Sequence, residues 1–280
     1  MSKKRTDPNL EDLKPEQSLE LLKELHILTR EGKLNQDSRR KLKQIYHLYH
    51  FIEPLLKESF EKNENLTLVD HGAGKSYLGF ILYDLFFKAQ ATGQIFGIET
   101  RTNLVEKSTE LAKKLNFPRM QFLNASVAES IQSKELPETV DIVTALHACD
   151  TATDDAIDFA LHKKAQHIIL IPCCQAEVAS ILRQNKSRSL AKPLSEVWRH
   201  ALHTREFGSH LTNVLRCLRL EAYGYQVTVT EFTGLEHSLK NELILAKKIE
   251  HKRSRQIERL QQLLTEFGIE ELRQRFDTSF

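Results

Sequence analysis

The sequence predicts an α/β protein in which a doubly wound, mostly parallel seven-stranded sheet follows an N-terminal helical segment. Two observations favour this fold. From residue 66 onward, short Val- and Ile-rich runs alternate with helical patterns, which is typical of a parallel sheet covered by helices on both faces. The last two runs, at 225–232 and 241–249, leave no room for a helix between them, so we expect these strands to pair antiparallel.

The predicted elements follow one another in a regular order. Strands are expected at 66–71, 94–99, 119–125, 139–147, 166–174, 225–232 and 241–249. Helices are expected at 75–91, 102–115, 127–133 and 153–162, and a long helical region is expected to end near residue 220. We divide the chain into a helical segment (1–61), a main domain (62–249) and an amphipathic C-terminal helix (250–280).

The composition indicates a globular, cytoplasmic protein without a membrane span. Charged residues make up 28% of the chain, and no run approaches the ~18 apolar residues that a membrane helix needs. The polar N-terminal stretch lacks the apolar core of a secretory signal. Four cysteines in a chain of this length do not make a disulfide framework, so we expect reduced thiols.

A glycine-rich turn after the first predicted strand is the most informative motif. The candidate ligand-binding residues of this turn are Asp70, His71, Gly72, Ala73 and Gly74. Glycines let a ligand approach the backbone closely. The next apolar run ends in Glu99, and a carboxylate at the tip of a neighbouring strand is well placed to accept hydrogen bonds from ribose hydroxyls. Together these features predict a nucleoside-cofactor pocket, although each carboxylate alone also fits a helix cap or a solvent-facing strand end.

The spacing of the glycines favours S-adenosylmethionine over phosphate-bearing cofactors. A P-loop needs a glycine five positions before Gly74, where this chain has Val69. The dinucleotide fingerprint needs a third glycine, where this chain has Tyr77. S-adenosylmethionine carries no phosphate, and Asp70 can bind its ammonium group. Further candidate cofactor contacts at the ends of the third and fourth strands are Asn124, Ala125, Ser126 and Leu146.

Four segments carry a family resemblance. VDHGAGKSYLGFIL, GIET, LHACDTATDDAI and IPCCQ resemble the class I S-adenosylmethionine-dependent methyltransferases, which have a Rossmann-like fold. More narrowly, they are similar to the branch with Trm13-like tRNA methyltransferases and methyltransferase-like protein 25 sequences. The resemblance implies that Asp70, Gly72, Gly74 and Glu99 hold the cofactor. It also implies that residues 147–154 and 172–174 line the methyl-transfer site.

The tips of the fourth and fifth predicted strands carry the candidate catalytic residues. These tips are neighbours in the predicted sheet, and such sheets bind ligands at the carboxyl ends of their strands. The candidates are His147, Asp150, Cys173 and Cys174. We favour a role for His147 and Asp150 in deprotonating or orienting the acceptor, with no metal. A cysteine nucleophile, a zinc site that adds Cys149, and purely structural cysteines are the alternatives that stay open.

A basic segment favours RNA as the methyl acceptor. Residues 183–219 hold eight Lys and Arg against two Glu, together with the only tryptophan, Trp198. A second cluster at 247–259 has six Lys and Arg against two Glu. Cationic side chains beside an aromatic ring suit a phosphate-bearing acceptor. The same charges also fit a solvated helix face, and a protein that binds RNA or another protein without catalysis is the alternative to an enzyme.

Overall fold

The computed structural model describes residues 13–146, 150–172, 175–185, 193–232, 242–249 and 254–277. The strands in these ranges are β1 (Thr67–His71), β2 (Gln94–Glu99), β3 (Met120–Asn124), β4 (Ile142–Leu146), β5 (His167–Ile171), β6 (Tyr225–Glu231) and β7 (Glu242–Lys248). The α-helices are α1 (Leu19–Glu24), α2 (Gln36–Lys62), α3 (Tyr77–Leu85), α4 (Thr102–Lys114), α5 (Val127–Gln132), α6 (Ala152–His162), α7 (Glu177–Gln184), α8 (Ala201–Ala222) and α9 (Ser254–Glu266). Short 3-10 helices lie at Phe87–Ala89, Pro193–Trp198 and Glu270–Arg273.

The described strands form one mostly parallel, seven-stranded sheet, which confirms the predicted fold class. By its contacts the chain divides into two compact units, Met1–Ser130 with Phe232–Leu239 and Ile131–Glu231 with Lys240–Phe280. The predicted division into a helical segment, a main domain and a C-terminal helix stays a prediction.

The first unit contains three parallel strands in the order β3-β2-β1. Asp70 pairs with Gly97, and Glu99 pairs with Asn124. Because all three strands run in the same direction, their carboxyl ends lie at one edge of the sheet. The interiors of β1 and β2 are mostly apolar and buried, as expected for strands covered on both faces, whereas β3 at the edge is only partly buried.

The second unit contains the order β4-β5-β7-β6. Strands β4 and β5 are parallel, whereas β7 is antiparallel to both β5 and β6. The register of the last pair places Tyr225 opposite Lys248. The predicted antiparallel pairing of the last two strands is therefore confirmed.

Several predicted elements are shorter in the structure than in the sequence analysis. The strand predicted at 139–147 begins only at Ile142, because the N–H of Val140 donates to the carbonyl oxygen of Lys163 at 3.0 Å instead of to a strand. The helix predicted from residue 75 begins at Tyr77, because Ser76 has a left-handed backbone. The strand predicted at 166–174 ends at Ile171 within the described residues.

A buried carboxylate anchors the N-terminal segment to the first unit. Asp84, on α3, accepts hydrogen bonds from the side chain of Gln17 and from the backbone N–H of Ser18 at 2.7 Å. Lys88 donates to the same carboxylate at 3.1 Å. Because a buried carboxylate must be paired to be tolerated, these donors hold the chain just before α1 against α3.

The second unit has a helical apolar cluster formed by α7, α8, α9 and the last 3-10 helix. Helix α8 passes close to α7 at Gly208, where a Cβ atom would lie 2.7 Å from the backbone of Ala179. Trp198 lies inside this cluster with 2% of its surface exposed, and its ring stacks on Phe207 at 5.3 Å. Trp198 was counted with the basic segment as favouring an RNA acceptor, but apolar neighbours cover its ring, so it adds nothing to the exposed surface of that segment.

Within the described part of the chain, no helix combines the length and the apolar character needed to cross a membrane.

Candidate active site

The glycine turn after β1 is fastened to the end of β2 by backbone hydrogen bonds. The N–H of Ala73 donates to the carbonyl oxygen of Ile98 at 2.9 Å, and the N–H of Gly74 donates to the carboxylate of Glu99 at 2.8 Å. Gly72 and Gly74 have φ angles of 67° and 59°, in the left-handed region that glycine adopts without strain. The predicted turn is thus present, and it joins the two strand tips that were singled out.

Asp70 is a buried carboxylate, with 1% of its surface exposed. The hydroxyl of Ser76 donates to its Oδ2 at 3.4 Å. This hydroxyl has room only because Gly79 lacks a side chain, since a Cβ atom there would lie 2.5 Å from it. Sequence reasoning missed Ser76 as a site residue, although the Gly-Lys-Ser ending of the motif was a signal for it.

Five donor groups surround the carboxylate of Glu99. Arg101 donates from its backbone N–H and its Nε to Oε1, and from Nη2 to Oε2, each at 3.0 Å. Gly74 donates to Oε2, and the hydroxyl of Thr100 donates to Oε1 at 3.3 Å. Burial by itself would raise the pKa of Glu99, but the hydrogen bonds from Arg101 and Gly74 lower it to about 2. Glu99 is therefore an anion at any physiological pH.

The guanidinium of Arg101 takes the acceptor positions that ribose hydroxyls were expected to use. A carboxylate offers about four lone-pair positions, and the five donors fill them. The side chain of Arg101 is 64% exposed, so it can swing away into solvent. A ribose can bind Glu99 once this side chain has moved. Sequence reasoning missed Arg101 because nothing in the motif distinguishes it from a surface charge.

His71 is the last residue of β1 and is buried beside these carboxylates. Burial lowers its pKa to about 4, and the nearby charge of Glu99 opposes this only in part. The imidazole is therefore neutral at pH 7 and does not cancel the negative charge of Asp70 and Glu99. Arg101 compensates the charge of Glu99, so the carboxyl group of Asp70 is the group of this site that suits an ammonium ligand.

Two of the further candidate cofactor contacts, Asn124 and Ser126, have local structural partners. Asn124 donates to the carbonyl oxygens of Glu99 and Thr100, each at 2.9 Å, which fastens β3 to the loop after β2. Ser126 donates to Glu129 from its N–H at 2.7 Å and from its hydroxyl at 2.6 Å, as in a helix capping box. Ala125 is buried, and Leu146 ends β4 in the second unit half-buried. The contact of these four residues with the cofactor stays a prediction.

Asp150 is the only one of the four candidate catalytic residues that lies within the described residues. The others, His147, Cys173 and Cys174, lie outside them. The Oδ1 of Asp150 accepts from the N–H groups of Ala176 and Glu177 at 3.0 and 3.3 Å, at the start of α7. Its carboxylate therefore caps a helix, which favours positioning of the loop after β4 over abstraction of a proton.

Arg216, on α8, holds this loop from inside the second unit. It is fully buried and donates to both carboxylate oxygens of Asp154, at 2.9 and 2.7 Å. Its Nη2 also donates to the carbonyl oxygen of Asp150 at 2.8 Å. One buried guanidinium thus connects α8, the first turn of α6 and the residue that caps α7. Sequence reasoning counted Arg216 among the RNA-binding charges, which its burial contradicts.

A second set of polar contacts holds Gln175, which follows the predicted catalytic cysteines in the sequence. Ser209 donates to Oε1 of Gln175 at 2.5 Å, and Nε2 of Gln175 donates to Asn213 at 3.2 Å. Asn213 in turn donates to Glu242 on β7 at 2.7 Å. These contacts fix Gln175, where the chain enters α7, to α8 and β7.

The predicted basic segment separates into exposed and buried charges. Arg183, Arg199 and Arg205 are exposed, whereas Arg216 and Arg219 are buried. Arg219 pairs with Asp158 at 2.6 Å. Lys186, Arg188 and Lys192 lie outside the described residues. The buried arginines stabilise the second unit, so the segment offers RNA fewer cations than its sequence indicates.

The described residues hold no group of His, Cys, Asp and Glu side chains that could bind a metal ion. The four side chains considered for zinc, His147, Cys149, Cys173 and Cys174, lie outside those residues. Cys217 is described, and burial raises the pKa of its thiol to about 12. A thiol with such a pKa is not a nucleophile at neutral pH.

The chain matches the family model of a methyltransferase domain over residues 40–181, just over half of its 280 residues. No curated protein sequence matches it. Three solved structures illustrate the fold similarity. A Streptococcus thermophilus rRNA methylase is 7% identical with a TM-score of 0.42, covering 66% of this chain and 88% of its own. A putative rRNA methylase from Clostridium thermocellum is 14% identical with a TM-score of 0.44, covering 66% and 89%.

The third structure is magnesium protoporphyrin IX methyltransferase from Synechocystis PCC 6803 with bound SAH, 14% identical with a TM-score of 0.44, covering 78% of this chain and 89% of its own. At these identities and TM-scores the likenesses decide nothing about the substrate. The family match and the sheet of this chain carry the assignment. The chain belongs to the methyltransferase-domain family, and it is an enzyme of the class I fold whose methyl donor is S-adenosylmethionine.

Proposed function

We propose that this enzyme binds S-adenosylmethionine through Asp70, Glu99 and the Gly72–Gly74 turn, and that it methylates RNA. The observation that carries the cofactor site is the pair of buried carboxylates at the tips of β1 and β2, tied to a turn without bulky side chains. Two anions beside a neutral His71 suit a ligand that bears an ammonium group and two ribose hydroxyls.

The residues of the turn fit this cofactor. Asp70 is the acidic group suited to the ammonium group, and Glu99 accepts the ribose hydroxyls after Arg101 leaves. When bound, S-adenosylmethionine supplies an electrophilic methyl group. The remaining task of the protein is to align the acceptor atom and exclude water. In the second unit, Arg216 holds the carbonyl group of Asp150, and Asp150 holds the start of α7, which supports a fixed position for Asp150 in that task.

The site supports an RNA acceptor by its exposed cations rather than by the aromatic residue that the sequence suggested. Arg183, Arg199 and Arg205 are exposed, and a phosphate could contact Arg199 and Arg205 by displacing their exposed partners Glu196 and Glu206. The relation to the Trm13-like and methyltransferase-like protein 25 branch, and a cytoplasmic location, belong to the same proposal.

Binding of S-adenosylhomocysteine tests the cofactor site. We expect calorimetric titration to show one site, and Asp70→Asn and Glu99→Gln to weaken it about tenfold or more, since each removes a charge-assisted hydrogen bond. Glu106→Gln is the matched control, since it replaces an exposed carboxylate on α4 by a carboxamide and should leave the affinity unchanged. Full affinity in the Asp70 and Glu99 variants would refute the assignment.

Methyl transfer tests the acceptor. The wild-type chain is incubated with cofactor labelled in its methyl group and with separate RNA and protein fractions of a cell extract. We expect label in RNA, and none with Asp70→Asn. Label in protein alone would reject RNA as the acceptor. Cofactor binding without transfer to either fraction, together with RNA binding, would favour the alternative of a binding protein that has lost catalysis.

A further inference from the structure

A cleft in the first unit lies beside the glycine turn and has no role in the site described above. Its volume is about 240 Å³. Its floor and walls come from the end of α1, the start of α3 and one face of α4. The residues that matter for its chemistry are His26, Lys75, Tyr77, Leu104, Lys107 and Leu111.

The cleft is positively charged. Among the described residues, neither Lys75 nor Lys107 has an ion pair or a hydrogen bond through its ammonium group. The carboxylate at the rim, Glu24, is held by Lys114 at 2.8 Å, so its charge is compensated. Two uncompensated ammonium groups at one concave site favour an anion as the ligand.

The cleft also has an apolar part. Leu104 and Leu111 line one side, and the aromatic ring of Tyr77 is among the few large apolar groups exposed on the described surface. A ring at the rim of a basic cleft can stack on a nucleic-acid base while the lysines contact phosphate. A volume of about 240 Å³ is below the ~300–1,000 Å³ of pockets that enclose a whole small ligand. It therefore suits one unit of a longer chain better than a free molecule.

We propose that this cleft docks a nucleotide of the RNA acceptor, with its phosphate on Lys75 and Lys107 and its base on Tyr77. This inference rests on the proposed RNA methylation and adds a contact surface to it. Lys75 directly follows Gly74, whose N–H binds Glu99, so the docked RNA touches the same turn that carries the cofactor site. The N-terminal segment contributes to recognition because His26 closes one side of the cleft.

Fluorescence anisotropy with a short, labelled, mixed-sequence single-stranded RNA tests the two lysines. We expect Lys75→Gln with Lys107→Gln to bind about tenfold more weakly and to lower the slope of log affinity against log salt by about 1.4, the loss of two phosphate contacts. The matched control, Lys41→Gln with Lys134→Gln, removes two exposed charges elsewhere and should stay within about twofold of wild type. Equal losses in both double variants, or an unchanged slope in the first, would overturn the proposal.

Substitution of Tyr77 tests the stacking contact. We expect Tyr77→Leu to weaken RNA binding about fivefold or more without changing the salt slope, and Tyr77→Phe to bind as wild type. Equal affinity of the wild type and both Tyr77 variants for RNA would refute the stacking of a base on Tyr77. Adenosine 5′-monophosphate serves as competitor, and displacement at the same molar concentration as unlabelled RNA would overturn the proposal in favour of a free nucleotide.

Failure of the docking cleft can be told apart from failure of the proposed function. Calorimetry with S-adenosylhomocysteine is run on the same lysine variants, which should bind it as wild type does. Normal cofactor binding with RNA affinity and salt slope unchanged by the lysine substitutions refutes the cleft alone. RNA binding that depends on the lysines, without transfer of methyl to RNA, supports the cleft and refutes the proposed reaction.

Discussion

The glycine turn of the first unit and the loop after β4 in the second unit are held by different means. The turn is held by a contact of shorter sequence separation, since the N–H of Gly74 donates to Glu99, which is 25 residues away. The loop is held by Arg216, which is 62 residues from Asp154 and 66 from the Asp150 carbonyl group. A sequence motif can therefore predict the glycine turn, whereas only the folded chain shows the contacts of Arg216.

The strongest test of this comparison is Arg216→Met. It leaves the carboxylate of Asp154 buried without its partner, so we expect a loss of about 3–5 kcal/mol in the free energy of unfolding. The loop after β4 also loses its anchor at the carbonyl oxygen of Asp150. Urea denaturation, followed by circular dichroism, measures the effect.

The control for Arg216 lies on the same helix. Arg205 is exposed and contacts the adjacent Glu206, so Arg205→Met should cost less than about 1 kcal/mol. Comparable losses in the two variants would mean that the buried pair does not hold the second unit together.

Gly97 in the first unit and Gly208 in the second differ in what an added side chain would meet. A Cβ atom at Gly208 would meet the backbone of Ala179 at 2.7 Å, whereas one at Gly97 would meet the ring of Phe122 at 2.6 Å. A side chain can rotate away but a helix backbone cannot, so we expect Gly208→Ala to cost about 2–3 kcal/mol and Gly97→Ala about 1 kcal/mol. The gain in helix propensity at Gly208 offsets part of its loss. Thermal unfolding of the two variants compares them directly, and the reverse order would contradict the close approach of α7 and α8.

His71 makes the stability of the first unit depend on pH. Its pKa is about 4 in the folded chain, whereas an unfolded histidine titrates near 6.5. The unfolded state therefore binds an additional proton between these values. The stability that the folded chain has with a neutral His71 is fully present above about pH 6.5, and it is lost progressively as the pH falls towards 4.

We expect the free energy of unfolding of the wild type to fall by up to about 1 kcal/mol per pH unit more steeply than that of His71→Gln in this window. Urea titrations at several pH values measure the slope. His162→Gln, at an exposed position, should follow the wild type. Parallel slopes for the wild type and His71→Gln would show that the imidazole titrates normally.

Arg101 gives the smallest expected effect. In the proposed cofactor site its ion pair with Glu99 opens before the ribose binds, and a pair with one exposed partner is worth about 0–1 kcal/mol. We expect Arg101→Ala to tighten binding of S-adenosylhomocysteine by at most about fivefold, as measured by calorimetry. Weaker binding in this variant would show that Arg101 contacts the cofactor instead of competing with it.

Sequence reasoning reached the fold and the glycine turn because both depend on local patterns. Alternating apolar runs reveal strands, and two glycines between Asp70 and Glu99 reveal the turn. Burial is a property of the whole fold, so the same reasoning placed Trp198 and Arg216 on an RNA-binding surface when both are buried. The role of Arg101 escaped it because a guanidinium two residues from a carboxylate has many possible partners on a surface.

The anchor at Asp84 sets a limit on how far the chain can be shortened. Removal of residues through Ser18 would take away two of the donors to a carboxylate on α3. The same helix starts three residues after Gly74, so a disturbance at its far end is transmitted to the proposed cofactor site along a helix of nine residues. Poor cofactor binding by such a truncated enzyme would thus indicate that α3 has lost its support, and not that a cofactor-binding residue has been removed.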